Sequence, residues 1–153
     1  MTERVLSRRQ VLKRSVVLSM GTLLLPGHAA ADQLQRALKR AFGDTPIQPG
    51  RVTLALPALA ENGNSVRLTV RVDSIMRGDD RVAFVQLFSP ANPLPDIARF
   101  DFSAASGLAE VETRIRIAGE QDIVAVAGMV DGSLWSGSAH IVVTEAACLD
   151  ALI

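Results

Sequence analysis

Residues 65–72 read Ser65-Val66-Arg67-Leu68-Thr69-Val70-Arg71-Val72. Val66, Leu68, Val70 and Val72 alternate with polar neighbours, the period of two that sets apolar side chains on one face of a pleated strand. Upstream, residues 51–56 carry a second β-favouring run, Arg51-Val52-Thr53-Leu54-Ala55-Leu56. Between the two lie Pro57 and Glu61-Asn62-Gly63-Asn64, residue types that tolerate the backbone angles a chain reversal needs.

Outward from this pair the same signals recur. Strands are predicted over 82–88, 98–103, 110–117, 123–130 and 133–143. Asp79-Asp80, Pro90 to Pro95, Ser106-Gly107, Gly119-Glu120 and Asp131-Gly132 separate them. Asp131-Gly132 is the clearest two-residue hairpin turn. About seven short strands with no helical run between them predict an all-β fold, an immunoglobulin-like antiparallel β-sandwich. Trp135, flanked by small residues, is assigned to packing.

One helix precedes the strands. Leu34, Ala37, Leu38, Ala41 and Phe42 follow the i, i+3, i+4, i+7, i+8 spacing of an amphipathic helix. It is expected over 32–42, with Asp32 capping its start and Gly43 closing it; Pro46 and Pro49 forbid continuation.

The chain of 153 residues has room for one domain. Its net charge of zero averages two unlike parts. Residues 1–31 hold five basic residues against Glu3, a net of +4, which leaves 11 basic and 15 acidic residues, net −4, in the rest. An acidic body argues against nucleic acid as a partner, since phosphate binding relies on a basic face.

The N-terminal part has the layout of a cleavable export signal. Ser7-Arg8-Arg9-Gln10-Val11-Leu12-Lys13 is followed by an apolar stretch over 16–25 and by Ala29-Ala30-Ala31. The paired Arg8 and Arg9 resemble a twin-arginine signal, with Val11 where that signal usually carries phenylalanine. The expected products are signal 1–31, cleaved after Ala31, sandwich domain 32–145 and C-terminal arm 146–153. The apolar stretch is well short of the roughly 20 residues that span a bilayer, so no stable membrane insertion is expected. The expected location is the periplasm, by the twin-arginine route.

Candidate chemistry is sparse. One histidine, His140, stands outside the signal, inside a predicted strand, so a Ser-His-Asp arrangement or a Cys/His zinc site is not expected. Asp79-Asp80 and the Glu110, Glu112, Arg114, Arg116 set read as solvated surface. Glu61-Asn62-Gly63-Asn64-Ser65 joins two strands and is no phosphate cradle. No cofactor is expected, and no enzymatic activity of the chain alone.

The sole cysteine, Cys148, lies five residues from the C-terminus, so no intramolecular disulfide is possible. Glu145 and Asp150 beside it disfavour the thiolate, so this thiol needs a positive site on a partner to become a strong nucleophile. That suits a carrier better than an enzyme.

Several segments occur together in a fixed order: Ala41-Phe42-Gly43-Asp44, Gly50-Arg51-Val52-Thr53-Leu54, Leu56-Pro57, Glu61-Asn62-Gly63-Asn64-Ser65-Val66, Asn92-Pro93-x-Pro95, Asp131-Gly132-x-x-Trp135-Ser136 and Val143-Thr144. In this order they resemble the SoxY family, sulfur-carrier subunits of the periplasmic Sox thiosulfate-oxidation system. The resemblance implies an immunoglobulin-like sandwich with an N-terminal helix, a heterodimer with a SoxZ-like subunit, and an arm whose cysteine binds the sulfur substrate covalently. Cys148 matches that attachment residue. It implies three further partners, a c-type cytochrome sulfur transferase, a sulfate-releasing thiol esterase and a sulfane dehydrogenase.

The arm departs from the family pattern. Where that pattern is Gly-Gly-Cys-Gly-Gly, this chain has Ala146-Ala147-Cys148-Leu149-Asp150, followed by Ala151-Leu152-Ile153. Ala and Leu add bulk where glycines give a slender, free backbone. Two other readings therefore stand beside the leading one. One is a divergent carrier for another periplasmic oxidation, for example one associated with a quinoprotein dehydrogenase. The other is a non-carrier interaction module in which Cys148 is vestigial.

Overall fold

The computed structural model describes residues 26–147. It contains one α-helix, α1 (Pro26–Phe42), and nine strands: β1 (Ile47–Pro49), β2 (Val52–Ala55), β3 (Leu59–Asn62), β4 (Val66–Val72), β5 (Val82–Phe88), β6 (Asp96–Asp101), β7 (Glu110–Ile115), β8 (Gln121–Met129) and β9 (Leu134–Glu145). A single 3-10 turn, Gly78–Asp80, precedes β5.

The strands form two sheets. The larger has the order β1-β9-β8-β5-β6 with β3 also on β9; the smaller is β2-β4-β7. The immunoglobulin-like sandwich read from the sequence is the fold observed. All seven predicted strands are present, and β1 and β3 are the additional two. Both additions pair with β9 in parallel, Ile47 opposite Leu134 and Leu59 opposite Val142, so the pairing is not antiparallel throughout. At three and four residues, these strands are too short to show an alternation in sequence.

Residues 47–62 cross between sheets: β1 lies on the large sheet, β2 on the small one and β3 back on the large one. Gly50, at φ 108°, and Arg51, at φ 60°, form the first corner. The Gly50 N–H donates to the Ser136 carbonyl at 2.9 Å. The crossing brings β2 against β9 at Gly137, where a Cβ would stand 2.0 Å from the Val52 carbonyl oxygen. Only glycine fits there.

The main core lies between the sheets. Val66, Leu68, Val70 and Val72 of β4 meet Val85 and Leu87 of β5, Ile123, Ala125 and Ala127 of β8, and Ile141 of β9. On β5 and β8 most of the intervening residues are apolar as well, Gln86 excepted. Phe84, Phe88, Val124 and Val126 face the other way and pack against Leu34, Ala37, Leu38 and Phe42 of α1. The large sheet is therefore covered on its second face by the helix, which explains why β5 and β8 are largely apolar on both faces. Phe42 anchors α1, with its ring centroid 6.0 Å from those of both Phe84 and Phe88.

The helix begins upstream of the expected start at Asp32. Pro26 opens it, and the alanines at 29–31, the strongest helix formers, carry it into 32–42. Asp32 thus lies in the helix interior and caps nothing. The other end is as expected: Gly43, at φ 65°, donates to the Lys39 carbonyl at 2.9 Å and terminates the helix.

Candidate functional site

The end of the sandwich where β9 finishes is built from backbone groups of three segments. The Gly63 N–H donates to the Glu145 carbonyl at 2.9 Å, the Ile117 N–H to the Gly63 carbonyl at 2.8 Å, and the Ala147 N–H to the Ile117 carbonyl at 3.0 Å. The first continues the β3–β9 pairing of the large sheet, the second the β4–β7 pairing of the small one, and the third joins the two. Gly63 comes from the β3–β4 turn, Ile117 from just past β7, and Glu145 and Ala147 from the end of β9 and beyond.

Ile117 and Gly63 are buried, and Ala147 is only 2% exposed. A Cβ on Gly63 would lie 2.3 Å from the Ile117 carbonyl oxygen and 3.0 Å from the Ala147 nitrogen. Glycine is required here by close approach, not by a positive φ. Residues 146 and 147, expected to belong to the arm, thus lie against the body.

A polar network supports the Ile117 segment from behind. Asn92, buried in the β5–β6 loop, donates from Nδ2 to the Arg116 carbonyl at 2.9 Å and accepts at Oδ1 from the Ala118 N–H at 2.9 Å. It therefore grips the residues on both sides of Ile117. Its own carbonyl accepts from Gln33 Nε2 of α1 at 2.8 Å. Gln121 Oε1 accepts from Ser89 Oγ and the Ala91 N–H, each at 2.9 Å, and fixes the start of that loop.

His140 lies near the same end on β9, exposed, with Nδ1 2.9 Å from Asp122 Oδ1 and Nε2 3.4 Å from Glu120 Oε1. A ring held between two surface carboxylates has no nucleophile to activate. Among the described residues no group of three or more His, Cys, Asp or Glu could hold a metal ion. Among the same residues no helix is long and apolar enough to cross a membrane.

The carboxylates with displaced titration lie at the other end of β9. Asp80, read from the sequence as solvated surface, accepts a hydrogen bond and ion pair from Arg51 and a 2.8 Å bond from the Ile75 N–H; the Arg51 bond first, then Ile75, holds its carboxyl below 3.8. The sequence shows no link between residues 29 positions apart, so this partnership was not legible. Asp131 is lowered by Ser133, which donates from both Oγ at 2.7 Å and its N–H at 2.8 Å, the turn chemistry expected of Asp131-Gly132. Arg51 also sits 5.4 Å from the Trp135 ring centroid, and Trp135 packs against the main core as expected. Glu110 and Glu112 are exposed, but they pair with Arg71 and Arg67 of β4 and not with their own strand's arginines.

Of the residues singled out from sequence, Ala31 is an exposed position on α1, while Arg8, Arg9 and Cys148 lie outside the described residues. In sequence Gly63 and Asn92 carry only turn and motif signals, and Ile117 only its place at the end of the strand predicted over 110–117. The model of the family described as Sulfur oxidation protein SoxY matches residues 38–148, from α1 to the residue after Ala147.

This chain belongs to the SoxY family.

Among solved structures, the sulfur carrier protein SoxY from Chlorobium limicola f thiosulfatophilum is similar at 28% identity. The match covers 76% of this chain and 96% of that one with a TM-score of 0.65. The SoxY sandwich also resembles superoxide reductases. That of Ignicoccus hospitalis, a neelaredoxin, matches at 14% identity over 77% of this chain and 92% of that chain, TM-score 0.52. That of Nanoarchaeum equitans matches at 12% over 63% and 100%, TM-score 0.52. At such identities the likeness is one of fold. No curated protein sequence matches the chain.

Proposed function

We propose that this SoxY-family chain is the sulfur carrier of a periplasmic thiosulfate-oxidation system and that Cys148 is its covalent attachment point. One observation supports the reading above others. The only cysteine of the chain directly follows Ala147, the last described residue, which is tied to the body through Ile117. A thiol in that place can be offered to other proteins while the sandwich stays folded.

The chemistry needs partners. Joining the Cys148 thiol to thiosulfate through a new S–S bond releases one proton and two electrons, which a c-type cytochrome sulfur transferase accepts. Hydrolysis then cleaves the terminal S–S bond: water supplies the oxygen, sulfate and two protons leave, and Cys148 keeps a sulfane sulfur. A thiol esterase performs that step, and a sulfane dehydrogenase oxidises the remaining sulfur. Keeping the intermediate tethered holds it at high effective concentration near each enzyme in turn. A SoxZ-like subunit completes the carrier. Arg8 and Arg9 direct twin-arginine export, with cleavage after Ala31.

The test is the intact mass of the mature protein with its partner, purified from periplasm after thiosulfate feeding, before and after a thiol reductant. A reductant-labile sulfur adduct confined to the Cys148 peptide is expected, together with an N-terminus at Asp32. Cys148→Ser is expected to abolish thiosulfate oxidation. An unmodified thiol, with oxidation intact in the Ser variant, would favour the interaction-module reading instead.

A further inference from the structure

We propose that the free edge of β7 is a dimer interface: it pairs antiparallel with β7 of a second copy of this chain, about a two-fold axis that passes Thr113.

β7 is the last strand of the small sheet, with β4 on one side and, among the described residues, no strand on the other. With the residue that follows, it reads Glu110-Val111-Glu112-Thr113-Arg114-Ile115-Arg116. Burial alternates along it, so Glu110, Glu112, Arg114 and Arg116 stand exposed on the outer face. One bond at the end of the ladder fixes the direction of the main-chain groups. The Val72 N–H donates to the Ala109 carbonyl at 2.9 Å, and in an antiparallel pair successive residues point their N–H and C=O alternately toward the partner and away from it. Ala109, Val111, Thr113 and Ile115 therefore bond β4, while Glu110, Glu112 and Arg114 offer their main-chain groups to the open edge. Arg116 agrees with this, since its carbonyl is taken up by Asn92 and not by β4. An uncovered edge of this kind is a template for another strand.

The charges select which strand. Two acidic residues followed by two basic ones, on one face, make a series that changes sign about Thr113. An antiparallel second copy centred there sets Glu110 opposite its Arg116 and Glu112 opposite its Arg114, and symmetry repeats both pairs. A parallel copy in register would set like charges together, which is destabilising. Within one chain the basic half has no such partners. The β4 register puts Arg67 opposite Arg114, and among the described residues neither Arg114 nor Arg116 forms an ion pair. Arg67 bonds Glu112 instead, through two nitrogens on the same oxygen, Oε1, which leaves Oε2 for Arg114 of the second copy.

Apolar surface supports the same register. Leu94 and Leu108 are 78% and 65% exposed. Leu94 lines, with Ile97, Thr113 and Arg116, a cleft of about 370 Å³ beside the β7 edge, and Leu108 lies just before the strand. The register places Leu108 opposite Ala118 of the second copy, which is bonded to Asn92, two residues from Leu94. Pairing thus covers, at each end of the interface, leucines that a single copy leaves in water.

The test uses the full mature chain with its partner subunit, under a thiol reductant so that no disulfide of Cys148 contributes. Sedimentation velocity is expected to show particles that hold two copies of this chain. The double variant Arg114→Glu, Arg116→Glu and the converse Glu110→Arg, Glu112→Arg should each raise the dissociation constant by roughly tenfold or more, and an equal mixture of the two should restore pairing. The register has its own readout. At the axis the two Thr113 residues form a non-hydrogen-bonded pair with Cα atoms about 4.5 Å apart, inside the roughly 4.4–6.8 Å that a disulfide spans. In a Cys148→Ser background, Thr113→Cys should cross-link to itself on mild oxidation, and Val111→Cys should not. A native complex that holds a single copy even at about 0.1 mM would overturn the proposal. So would association that neither charge variant weakens, both being folded by circular dichroism, or a Thr113→Cys chain that stays unlinked while the native complex is dimeric. Loss of the partner subunit, in place of the second copy, from the Arg114→Glu, Arg116→Glu variant would assign this edge to that subunit and equally overturn it.

Discussion

The amide of Ala147 donates to the carbonyl of Ile117 at 3.0 Å, across 30 residues of sequence and between segments that extend different sheets. That single bond ties the chain just past β9 to the segment just past β7. Its strength depends on how firmly Ile117 is held, so the residues that hold it are where substitutions should tell.

Asn92→Ala is expected to lower stability by about 1–2 kcal/mol, because it leaves the part-buried Ala118 N–H and Arg116 carbonyl without their partner. Urea denaturation measures the loss. Hydrogen exchange at Ala147 should accelerate in the same variant, as the Ile117 acceptor loosens. A stability change below ~0.5 kcal/mol, the range of ordinary surface substitutions, would show that Asn92 does not restrain this segment.

Two glycines of the large sheet should differ in tolerance. Gly137→Ala sets its Cβ 2.0 Å from the Val52 carbonyl oxygen, where only a shift of backbone can relieve the clash. Gly128→Ala meets the ring of Phe84 at 2.2 Å, and a side chain can turn aside. The expected loss for Gly137→Ala is at the upper end of the roughly 1–3 kcal/mol of overpacking, and that for Gly128→Ala is the smaller. Thermal melts of the pair decide the order; equal losses would mean that β2 gives way as easily as a ring.

Phe42→Ala should undock the helix end. Phe42 is half-buried and stacks on Phe84 while meeting Phe88 edge-on. A loss of about 2 kcal/mol is expected, under the roughly 3–5 of a fully buried phenylalanine. Trp135 packs on the other core and should keep its fluorescence, while the helix signal in far-ultraviolet circular dichroism falls. A shifted Trp135 emission maximum would contradict this separation.

Acid should act through Asp80. Its carboxyl titrates below 3.8 because Arg51 and the Ile75 N–H stabilise the charged form. A group lowered on folding contributes stability that is present above the unfolded value and lost as pH falls through the folded one. The native chain should therefore lose stability below 3.8, and Asp80→Asn should be less stable at neutral pH but flatter in that acid range. Urea midpoints at about pH 7 and about pH 3 test this; parallel curves for the two proteins would remove Asp80 from the acid response.

Much of the fold was legible because it rests on short-range pattern. The alternation of Val66, Leu68, Val70 and Val72 and the Asp131-Gly132 turn are local, and so is the closure of the helix at Gly43; local backbone preferences carry them into the folded state. Resemblance of ordered segments carried the family as well. Less legible were β1 and β3, too short for a period, and the start of α1, where the alanines before Asp32 extend the helix past the residue expected to cap it.

By itself, then, the sequence determined a two-sheet sandwich with one helix, an acidic body and a single thiol close to the C-terminus. Tertiary structure alone decided which side chains and backbone groups meet across it: Arg51 with Asp80, Asn92 with both neighbours of Ile117, and Gly63 and Ala147 on Ile117 itself. These are contacts between backbone groups or between residues far apart in the chain. A carbonyl and an N–H are the same at every position, so nothing in the order of side chains marks which of them will pair once the sheets have closed.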